Sequence, residues 1–342
     1  MKKVLLIVNP ISGTLPKDGL EQRVRERLAG CGLDVECVYT ERAGHGSELA
    51  ARAVAERYHA VIAAGGDGTV NEVASALAGS ETALGILPFG SGNGLARHLY
   101  GTININRALD VIANGYVSEC DYGSVNGRPF FCTFGLGFDA KVSSEFAHLN
   151  RRGLVSYARS AITQYAGYNP GEYVLMTEKK CIKTKAFLLA VCNASQYGNN
   201  AYIAPDASLC DGMLDVTVIK TGNPLTRAFA GVELFTGRLN RNILISSLKV
   251  SQITIKHLPG PGHIDGEPCM MPETLVVKCH KGGMRMFTDP EKPAFKPFIT
   301  PVQSIREDSD YLIKENLRHM RNRVGDRVVS LWESLFGKKN KK

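Results

Sequence analysis

The chain has 342 residues, of which 44% are hydrophobic and 22% charged, and this composition predicts a globular protein of about two domains. No run approaches the ~20 apolar residues that a spanning helix needs, and the nine cysteines include no CxxC pair; a membrane-spanning protein and a disulfide framework are excluded, and a cytoplasmic location is expected. The formal net charge of +8 indicates an acidic partner: a nucleotide, a nucleic acid or an anionic lipid.

Residues 1 to about 115 alternate short apolar strands with helical patterns. Four strands are predicted, at Val4–Val8, Asp34–Thr40, Ala60–Ala64 and Leu84–Leu87. This βαβαβαβ order predicts an open, mostly parallel, doubly wound sheet covered by helices. Ligands bind such sheets at the carboxyl ends of the strands, and the turn Asn9–Gly13 follows the first strand there.

A glycine-rich loop follows the third strand, and a helical pattern begins directly after it. The segment Gly65-Gly66-Asp67-Gly68 combines backbone that can approach an anion closely with the free N–H groups of a helix start. The carboxylate of Asp67 would repel phosphates unless a cation or a proton transfer is involved, so the combination indicates Mg-nucleotide chemistry. The alternative is a plain strand-to-helix turn in which Asp67 caps the helix.

The fourth strand opens into a second small-residue loop, Pro88 to Leu99, which leads into another helix. Two neighbouring strands therefore present glycine loops at one edge of the sheet, which predicts a cleft. Ser91 and Asn93 offer hydrogen bonds there, and Arg97 lies one turn into the helix, where it can reach phosphate oxygens. The alternative is a glycine-rich connection with Arg97 on the surface.

From Glu119 onward the pattern changes to short strands separated by turns. The predicted strands are Arg128–Phe134, Tyr173–Thr177, Ala186–Cys192, Leu214–Ile219, Ser251–Lys256, Val276–Cys279 and Arg285–Phe287, with helical excursions near 142–166 and 224–238. This pattern predicts a second domain that is all-β and mostly antiparallel. Asp121 lies at the junction, where it either faces the cleft or caps a turn.

Two motifs in the second half suggest sites that their surroundings do not favour. Gly135–Ala140 fits the G-x-G-x-x-A dinucleotide fingerprint, but no βαβ unit follows it. Asp211-Gly212 is typical of a hairpin turn. A metal site there would have only Asp211 and Asp215 as carboxylate ligands.

The segment His263–Pro268 contains two carboxylates that flank a glycine. It is either a surface hairpin or a turn that brings Asp265 and Glu267 to the cleft. A phosphoryl acceptor hydroxyl needs a positioned base, and either carboxylate has the right chemistry.

A long helical pattern closes the chain after a capping-box start at Ser304 and Glu307. Its apolar stripe recurs at three- and four-residue steps, through Leu317, Met320, Val324, Val328, Leu331 and Leu335, and lysines end the chain. Either the stripe packs on the protein and the basic tip is solvated, or the helix lies on a membrane with its cations on anionic headgroups.

Several motifs occur in a fixed order: NPISG, GGDGTVNEV, LPFGSGNGLAR, GLGFDA, CDGMLDV and DGEP. Together, from about residue 3 to residue 300, they resemble the diacylglycerol kinase and sphingosine kinase family of lipid kinases, in its bacterial form. GGDGT alone also occurs in NAD kinases and 6-phosphofructokinases. Many bacterial members read G-T-x-N-D-F-A where Gly94 stands at the acidic position here, and the GSGNGLA form is more similar to the sphingosine and ceramide kinase branch.

The resemblance implies an α/β nucleotide-binding domain over residues 1–120, to which residues 288–303 return, a lipid-binding β-sandwich over 121–287 and a tail over 304–342. ATP would lie in the cleft between the two domains. The residues implied to line it are Asn9, Pro10, Ile11, Ser12, Gly13, Thr40, Gly65, Gly66, Asp67, Gly68, Thr69, Val70, Asn71 and Ser91, beside Asn93 and Arg97 of the second loop.

The resemblance also implies catalytic and metal-binding roles. Glu267 would take the proton of the lipid hydroxyl with Asp265 in support, while Asp67 and Asp121 would hold Mg²⁺ and its waters near the phosphates. The metal set implied for a structural Mg²⁺ site is Asp211 with the backbone carbonyls of Ser208 and Met213.

The expected function is transfer of the γ-phosphoryl group of Mg-ATP to the hydroxyl of a membrane lipid, diacylglycerol or a sphingoid base, by a cytoplasmic protein peripheral to the inner face of the membrane. A NAD kinase-like enzyme with a soluble acceptor is the first alternative, and a catalytically inactive lipid-binding protein is the second. Nucleic acid is not an expected partner, because the basic residues concentrate near the C-terminus instead of interleaving with aromatics. A homodimer is left open.

Overall fold

The computed structural model describes residues 2–13, 15–141, 168–222 and 224–336. The helical excursion predicted near 142–166 lies outside them, as do the lysines that end the chain. The described chain forms an α/β half followed by a β half, and the strands of both belong to one hydrogen-bonded sheet.

The α/β half consists of parallel strands alternating with helices, as the sequence predicts. The strands are β1 (Lys2–Val8), β2 (Leu33–Tyr39), β3 (Ala60–Gly65) and β4 (Ala83–Pro88). The helices are α1 (Leu20–Ala29), α2 (His45–Ala55), α3 (Asp67–Leu77), α4 (Gly94–Tyr100) and α5 (Ile105–Asn114). Strands β3 and β4 are buried along their whole length, which accounts for their unbroken small and apolar sequence.

The strand order β2-β1-β3-β4 makes this half doubly wound. Helix α1 packs against α5 and helix α2 against α3. The helices therefore form two groups, as expected for a sheet that is covered by helices on both of its faces. The order reverses between β1 and β3, and ligands of such sheets bind outside the carboxyl ends of the strands at this point. One predicted loop begins at Asn9, directly after β1, and the other continues from Gly66, directly after β3. Because β1 and β3 are neighbours, the two loops lie side by side.

The β half is mainly antiparallel, and the predicted β-sandwich is confirmed. Its apolar core includes Phe134, Val191, Val216 and Ile255. Its strands are β5 (Val117–Val125), β6 (Arg128–Phe130), β7 (Thr133–Gly137), β8 (Gly171–Met176), β9 (Cys181–Cys192), β10 (Leu214–Lys220), β11 (Ile245–Val250), β12 (Gln252–Lys256), β13 (Gly260–Ile264), β14 (Glu267–Met271) and β15 (Thr274–Phe287). Helix α6 (Pro224–Thr236) and a short 3-10 helix (Leu239–Arg241) lie between β10 and β11.

Strand β15 joins the two halves and corrects the predicted strand pattern. The runs Val276–Cys279 and Arg285–Phe287 are parts of this one strand, whose register with β5 shifts between His280 and Met284. It pairs antiparallel with β5 and β12, and its residue Met286 pairs parallel with Leu84 of β4.

The last helix, α7 (Ile299–Phe336), begins before the predicted capping box at Ser304. It returns to the α/β half, where Asp308 forms an ion pair with Arg97 of α4 at 2.5 Å. The hydroxyl of Tyr311 accepts a hydrogen bond from the backbone N–H of Ile105 at 3.4 Å. No described helix is both long and apolar enough to cross a membrane.

Candidate functional site

Three loops meet at the carboxyl ends of β1, β3 and β4. Asn9 Nδ2 donates to Thr69 Oγ1 at 2.9 Å and so joins the first loop to the second. A Cβ on Gly13 would lie 1.7 Å from the carbonyl oxygen of Phe89, and the φ of Gly13 is 71°. Only glycine fits this position, because backbone packs directly on backbone there.

The first turn of α3 lies at the centre of these loops. Its N-cap is Gly66, and no side-chain cap hydrogen bond is present there within the described chain, so its first N–H groups are available to an anion. A Cβ on Gly68 would meet only Glu267 Oε1, at 3.6 Å, which leaves open space around this residue. The structure therefore provides an anion-binding backbone beside a carboxylate.

The other residues predicted to line a nucleotide divide into exposed and buried groups. The side chain of Val70 is 7% exposed and belongs to the core, so it is corrected to a packing residue. Gly65 is buried against Thr69. Exposed or partly exposed are Pro10, Ile11, Ser12, Thr40, Gly66, Gly68, Asn71 and Ser91.

Asp67 holds two loops together. Its Oδ2 accepts from the N–H of Asn93 at 2.9 Å and its Oδ1 from the N–H of Gly94 at 2.8 Å. Burial raises the pKa of Asp67, and these two N–H groups act against the rise. These contacts cap the start of α4. Asp67 does not cap α3, as the alternative interpretation expected, because the N-cap of α3 is Gly66. Each carboxylate oxygen retains a lone pair for a further donor.

The second loop uses its own polar side chain internally. Asn93 is 5% exposed, and its Nδ2 donates to the carbonyl oxygen of Gly90 at 2.6 Å, which corrects its predicted contact with a nucleotide. Close packing against neighbouring backbone explains why position 94 is a glycine. A Cβ on Gly94 would lie 3.1 Å from the carbonyl oxygen of Tyr197 and 3.2 Å from that of Gln196. An acidic side chain would require this backbone to move.

The predicted phosphate contact of Arg97 is also corrected. Its side chain is buried, and its guanidinium donates to the carbonyl oxygen of Gly92 at 3.0 Å and to Asn200 Oδ1 at 3.4 Å, besides the ion pair with Asp308. Because the charge of Arg97 is neutralised by Asp308 inside the protein, it fastens α7 to α4.

The hairpin of β13 and β14 carries the two late carboxylates. Its turn consists of Asp265 and Gly266, with φ of 48° and 84°, as in a type I′ turn. The carboxylate of Asp265 accepts hydrogen bonds from the backbone N–H groups of residues 131–133 and from Asn71 Nδ2, each at 2.8 Å. Asp265 therefore ties the hairpin to α3.

Glu267 is the carboxylate that stays open to the cleft. It is exposed, and its Oε1 faces Gly68 of the glycine loop. Burial of part of the side chain and the negative charges of Asp265 and Glu72 raise the pKa of Glu267, while Arg128 lowers it. A reachable carboxylate with a raised pKa can accept a proton from a hydroxyl group.

Asp121 is hydrogen-bonded to two turns of the β half. It is 1% exposed, and its carboxylate accepts from the N–H of Gly212 at 2.6 Å and from the N–H of Gly282 at 2.7 Å. It therefore caps two turns, which is the second of the two predictions for Asp121. Its predicted role near Mg²⁺ and phosphates is not favoured, because the carboxylate is 1% exposed and a cation with its waters has no open approach to it.

The predicted structural metal site is occupied by a lysine. Asp211 Oδ2 lies 2.6 Å from Lys249 Nζ, and Asp211 Oδ1 accepts from the N–H of Met213 at 3.0 Å. Ser208 Oγ accepts from the N–H of Cys210 at 3.2 Å. Among the described residues no group of three or more His, Cys, Asp or Glu side chains could hold a metal ion. The residues do not fit Mg²⁺ here, because the Lys249 ammonium already supplies the positive charge.

Lys17 was missed by the sequence interpretation and lies at the glycine loops. Its Nζ donates to the carbonyl oxygen of Ser12 and lies 4.7 Å from the ring centroid of Phe89. Burial lowers the pKa of Lys17. Lys17 therefore places a positive charge at the glycine loops, where Arg97 was predicted to supply one. Its charge was the only signal, because its loop has no periodic pattern.

A doubly wound sheet with glycine loops at its switch point, facing a carboxylate presented by an antiparallel β half, defines a two-domain kinase architecture. The chain belongs to the diacylglycerol kinase family. Residues 3–125 match the model of the diacylglycerol kinase catalytic domain. Residues 133–287 match the model of the YegS C-terminal NAD kinase beta sandwich-like domain.

Individual relatives carry the same description. A diacylglycerol kinase of Bacillus subtilis (strain 168) is 31% identical over 229 residues, which cover 65% of this chain and 75% of that relative. A diacylglycerol kinase of Mycobacterium tuberculosis (strain ATCC 25618 / H37Rv) is 28% identical over 287 residues, covering 80% and 91%. A crystal structure of a diacylglycerol kinase from Bacillus anthracis str. Sterne has a TM-score of 0.65 at 21% identity, covering 84% of this chain and 97% of that one, and shows the shared fold.

Proposed function

We propose that this protein is a lipid kinase, which transfers the γ-phosphoryl group of Mg-ATP to the hydroxyl of a membrane lipid, diacylglycerol or a sphingoid base. The observation that carries the proposal is the position of Glu267, whose Oε1 would be 3.6 Å from a Cβ on Gly68 at the start of α3. An acceptor hydroxyl bound beside this carboxylate, on the open side of Gly68, would have its proton near the base and the phosphoryl group near anion-binding backbone.

The glycine loops would bind the nucleotide largely through their backbone. The N–H groups of Gly68 and Thr69 in the first turn of α3 suit phosphate oxygens, and Lys17 adds a positive charge at the neighbouring loops. Mg²⁺ bound with ATP would spread the charge that develops on the transferred group. Such a cation usually keeps waters and takes one or two carboxylates. Asp67, on the glycine loop itself, fits that requirement.

The two halves of the chain would have different roles. Residues 1–120 with 288–303 would bind the nucleotide, and residues 121–287 would hold the lipid. Glu267 would take the hydroxyl proton, and Asp265 would hold the turn that carries it.

Helix α7 would provide membrane contact. Its apolar residues Ile299, Val302, Ile305, Ile313 and Leu317 are exposed. Helical spacing places them on one face, opposite the face of Asp308 and Tyr311 that packs on the α/β half. An outward apolar face on a basic protein suits an anionic membrane surface.

The test is incubation of labelled ATP with detergent-dispersed diacylglycerol, sphingosine, ceramide and soluble NAD, followed by separation of the products. We expect a phosphorylated lipid from the wild type, and a rate about 10²–10⁴ lower from Glu267→Gln at an unchanged KM for ATP. Label on NAD instead would favour the NAD kinase-like alternative, whose name the matched β-sandwich domain shares. A wild type that labels none of the four acceptors would refute the proposal.

A further inference from the structure

A buried polar cluster lies behind the hairpin that carries Glu267. His263 Nε2 lies 2.7 Å from Asp139 Oδ2, and the hydroxyl of Tyr197 donates to the same oxygen at 2.6 Å. Asp139 and His263 are 2% and 1% exposed. A Cβ on Gly135 would lie 2.2 Å from His263 Nε2, so that glycine leaves room for the pair. A buried ionisable pair is weak evidence for a stabilising role. The role of this cluster is therefore inferred from the backbone segments to which it is hydrogen-bonded.

One end of the cluster holds the turn of the hairpin. His263 Nδ1 accepts a hydrogen bond from the N–H of Gly266 at 3.2 Å. Because Nδ1 accepts this bond, the ring proton lies on Nε2, and Nε2–H donates a hydrogen bond to Asp139. The two bonds fix the tautomer and the orientation of the ring. Glu267 follows Gly266 directly, so the ring of His263 supports the backbone from which the candidate base projects.

The other end of the cluster reaches the second glycine loop. The backbone N–H of Asn199 donates to the carbonyl oxygen of Gly92 at 3.2 Å. A Cβ on Gly198 would lie 2.8 Å from the backbone of Gly92, and one on Gly94 would lie 3.1 Å from the carbonyl oxygen of Tyr197. The segment 197–199 therefore lies against the loop whose N–H groups hold Asp67.

We propose that Tyr197, Asp139 and His263 form a positioning network that fixes Glu267 relative to the glycine loops. The inference rests on the proposed function and adds residues that touch neither substrate. The network joins the hairpin to the second loop through the β half, while Asp265 joins it to α3. Two separate attachments define the position of the carboxylate, and a displacement of about 1 Å in such a site can cost 10²-fold in rate.

The decisive variant is Tyr197→Phe, which removes one hydroxyl from the network. We expect kcat for lipid phosphorylation, measured well below the Tm, to fall about tenfold with the KM for ATP unchanged, and the Tm to fall by a few degrees because one hydrogen bond to a buried carboxylate is lost. Tyr202→Phe is the matched control, because Tyr202 is 4% exposed in the same segment and its hydroxyl donates to Asn200 Oδ1 at 3.2 Å, outside the network. The control should keep the wild-type kcat.

A second pair of variants separates the two bonds of the histidine. His263→Gln can still donate to Asp139 but loses the acceptor for Gly266, whereas His263→Asn can keep that acceptor and loses the donor. Amide hydrogen exchange of the turn 264–268, read by mass spectrometry, reports positioning without relying on activity. We expect faster exchange in both variants and in Tyr197→Phe, together with the lower kcat.

The results separate this proposal from the proposed function. A wild type that transfers phosphate to no acceptor refutes the function and the network with it. Activity in the wild type, with Tyr197→Phe as active as Tyr202→Phe, refutes the network alone. The same holds if kcat in every network variant falls only in parallel with Tm, because the cluster then stabilises the fold without positioning Glu267.

Discussion

Asp265 and Glu267 lie two residues apart in one hairpin. We predict that replacing Asp265 lowers mainly the stability, whereas replacing Glu267 lowers mainly kcat. Asp265→Asn keeps the left-handed backbone of the turn, which asparagine tolerates. Its single amide oxygen cannot replace a carboxylate that accepts four hydrogen bonds, three from the N–H groups of residues 131–133 and one from Asn71. Either orientation of the amide turns its NH₂ group towards two donors.

The magnitude follows from those contacts. A hydrogen bond to a charged acceptor contributes ~1.5–3 kcal/mol, and water or a flipped Asn71 amide can replace part of what is lost. We therefore expect Asp265→Asn to lower the free energy of unfolding by about 3 kcal/mol and the Tm by about 5 °C or more. Glu267 is exposed, so Glu267→Gln should change stability by less than about 0.5 kcal/mol.

Thermal unfolding and steady-state kinetics on the two purified variants provide the assay. Glu267→Gln should keep the wild-type Tm and lose about 10²–10⁴ in kcat. Asp265→Asn should lose Tm and retain more activity than Glu267→Gln when assayed well below its Tm. Wild-type stability in Asp265→Asn combined with the larger loss of kcat would show that Asp265 is the base and that our assignment is reversed.

Further predictions concern the pH profile, the nucleotide, the metal and the tail. Since the pKa of Glu267 is raised and a base must be ionised, kcat/KM should fall as pH decreases through a value above the ordinary glutamate pKa of about 4.3; an acid limb that persists in Glu267→Gln would contradict this. Lys17→Met should raise the KM for ATP about tenfold at an unchanged Tm, and an unchanged KM would remove Lys17 from the site. Mg²⁺ alone should not raise the Tm of wild type, whereas a rise on titration that Asp211→Asn abolishes would show that Lys249 does not replace the ion. The combined substitutions Ile305→Ser, Ile313→Ser and Leu317→Ser remove most of the exposed apolar face of α7 and keep Asp308; co-sedimentation should show weaker binding to anionic vesicles with detergent-assay turnover preserved, and unchanged vesicle binding would exclude this face as an anchor.

The sequence predicts those parts of the site that depend on local order along the chain. Apolar runs, glycine loops and a helix start are neighbours in sequence, so the sheet, its switch point and the loop around Asp67 could be predicted. The partners of the polar side chains could not. Arg97 meets Asp308 across 211 positions, and Asn71 meets Asp265 across 194. No spacing rule reaches that far, which is why the sequence alone predicts a phosphate contact for Arg97.

The polar residues of the motifs are largely bonded to each other, and this has a consequence for the chemistry. Asp67 holds the N–H groups of Asn93 and Gly94, while Asp265 holds a turn of the β half. Groups fixed in this way need no reorganisation when charge develops in a reaction, which is the main source of electrostatic catalysis. The N–H groups of α3 and the carboxylate of Glu267 then remain to face the substrates. A motif rich in acidic and amide side chains is thus explained mainly by what holds the loops in place, and a small part of it by what would touch the phosphoryl group.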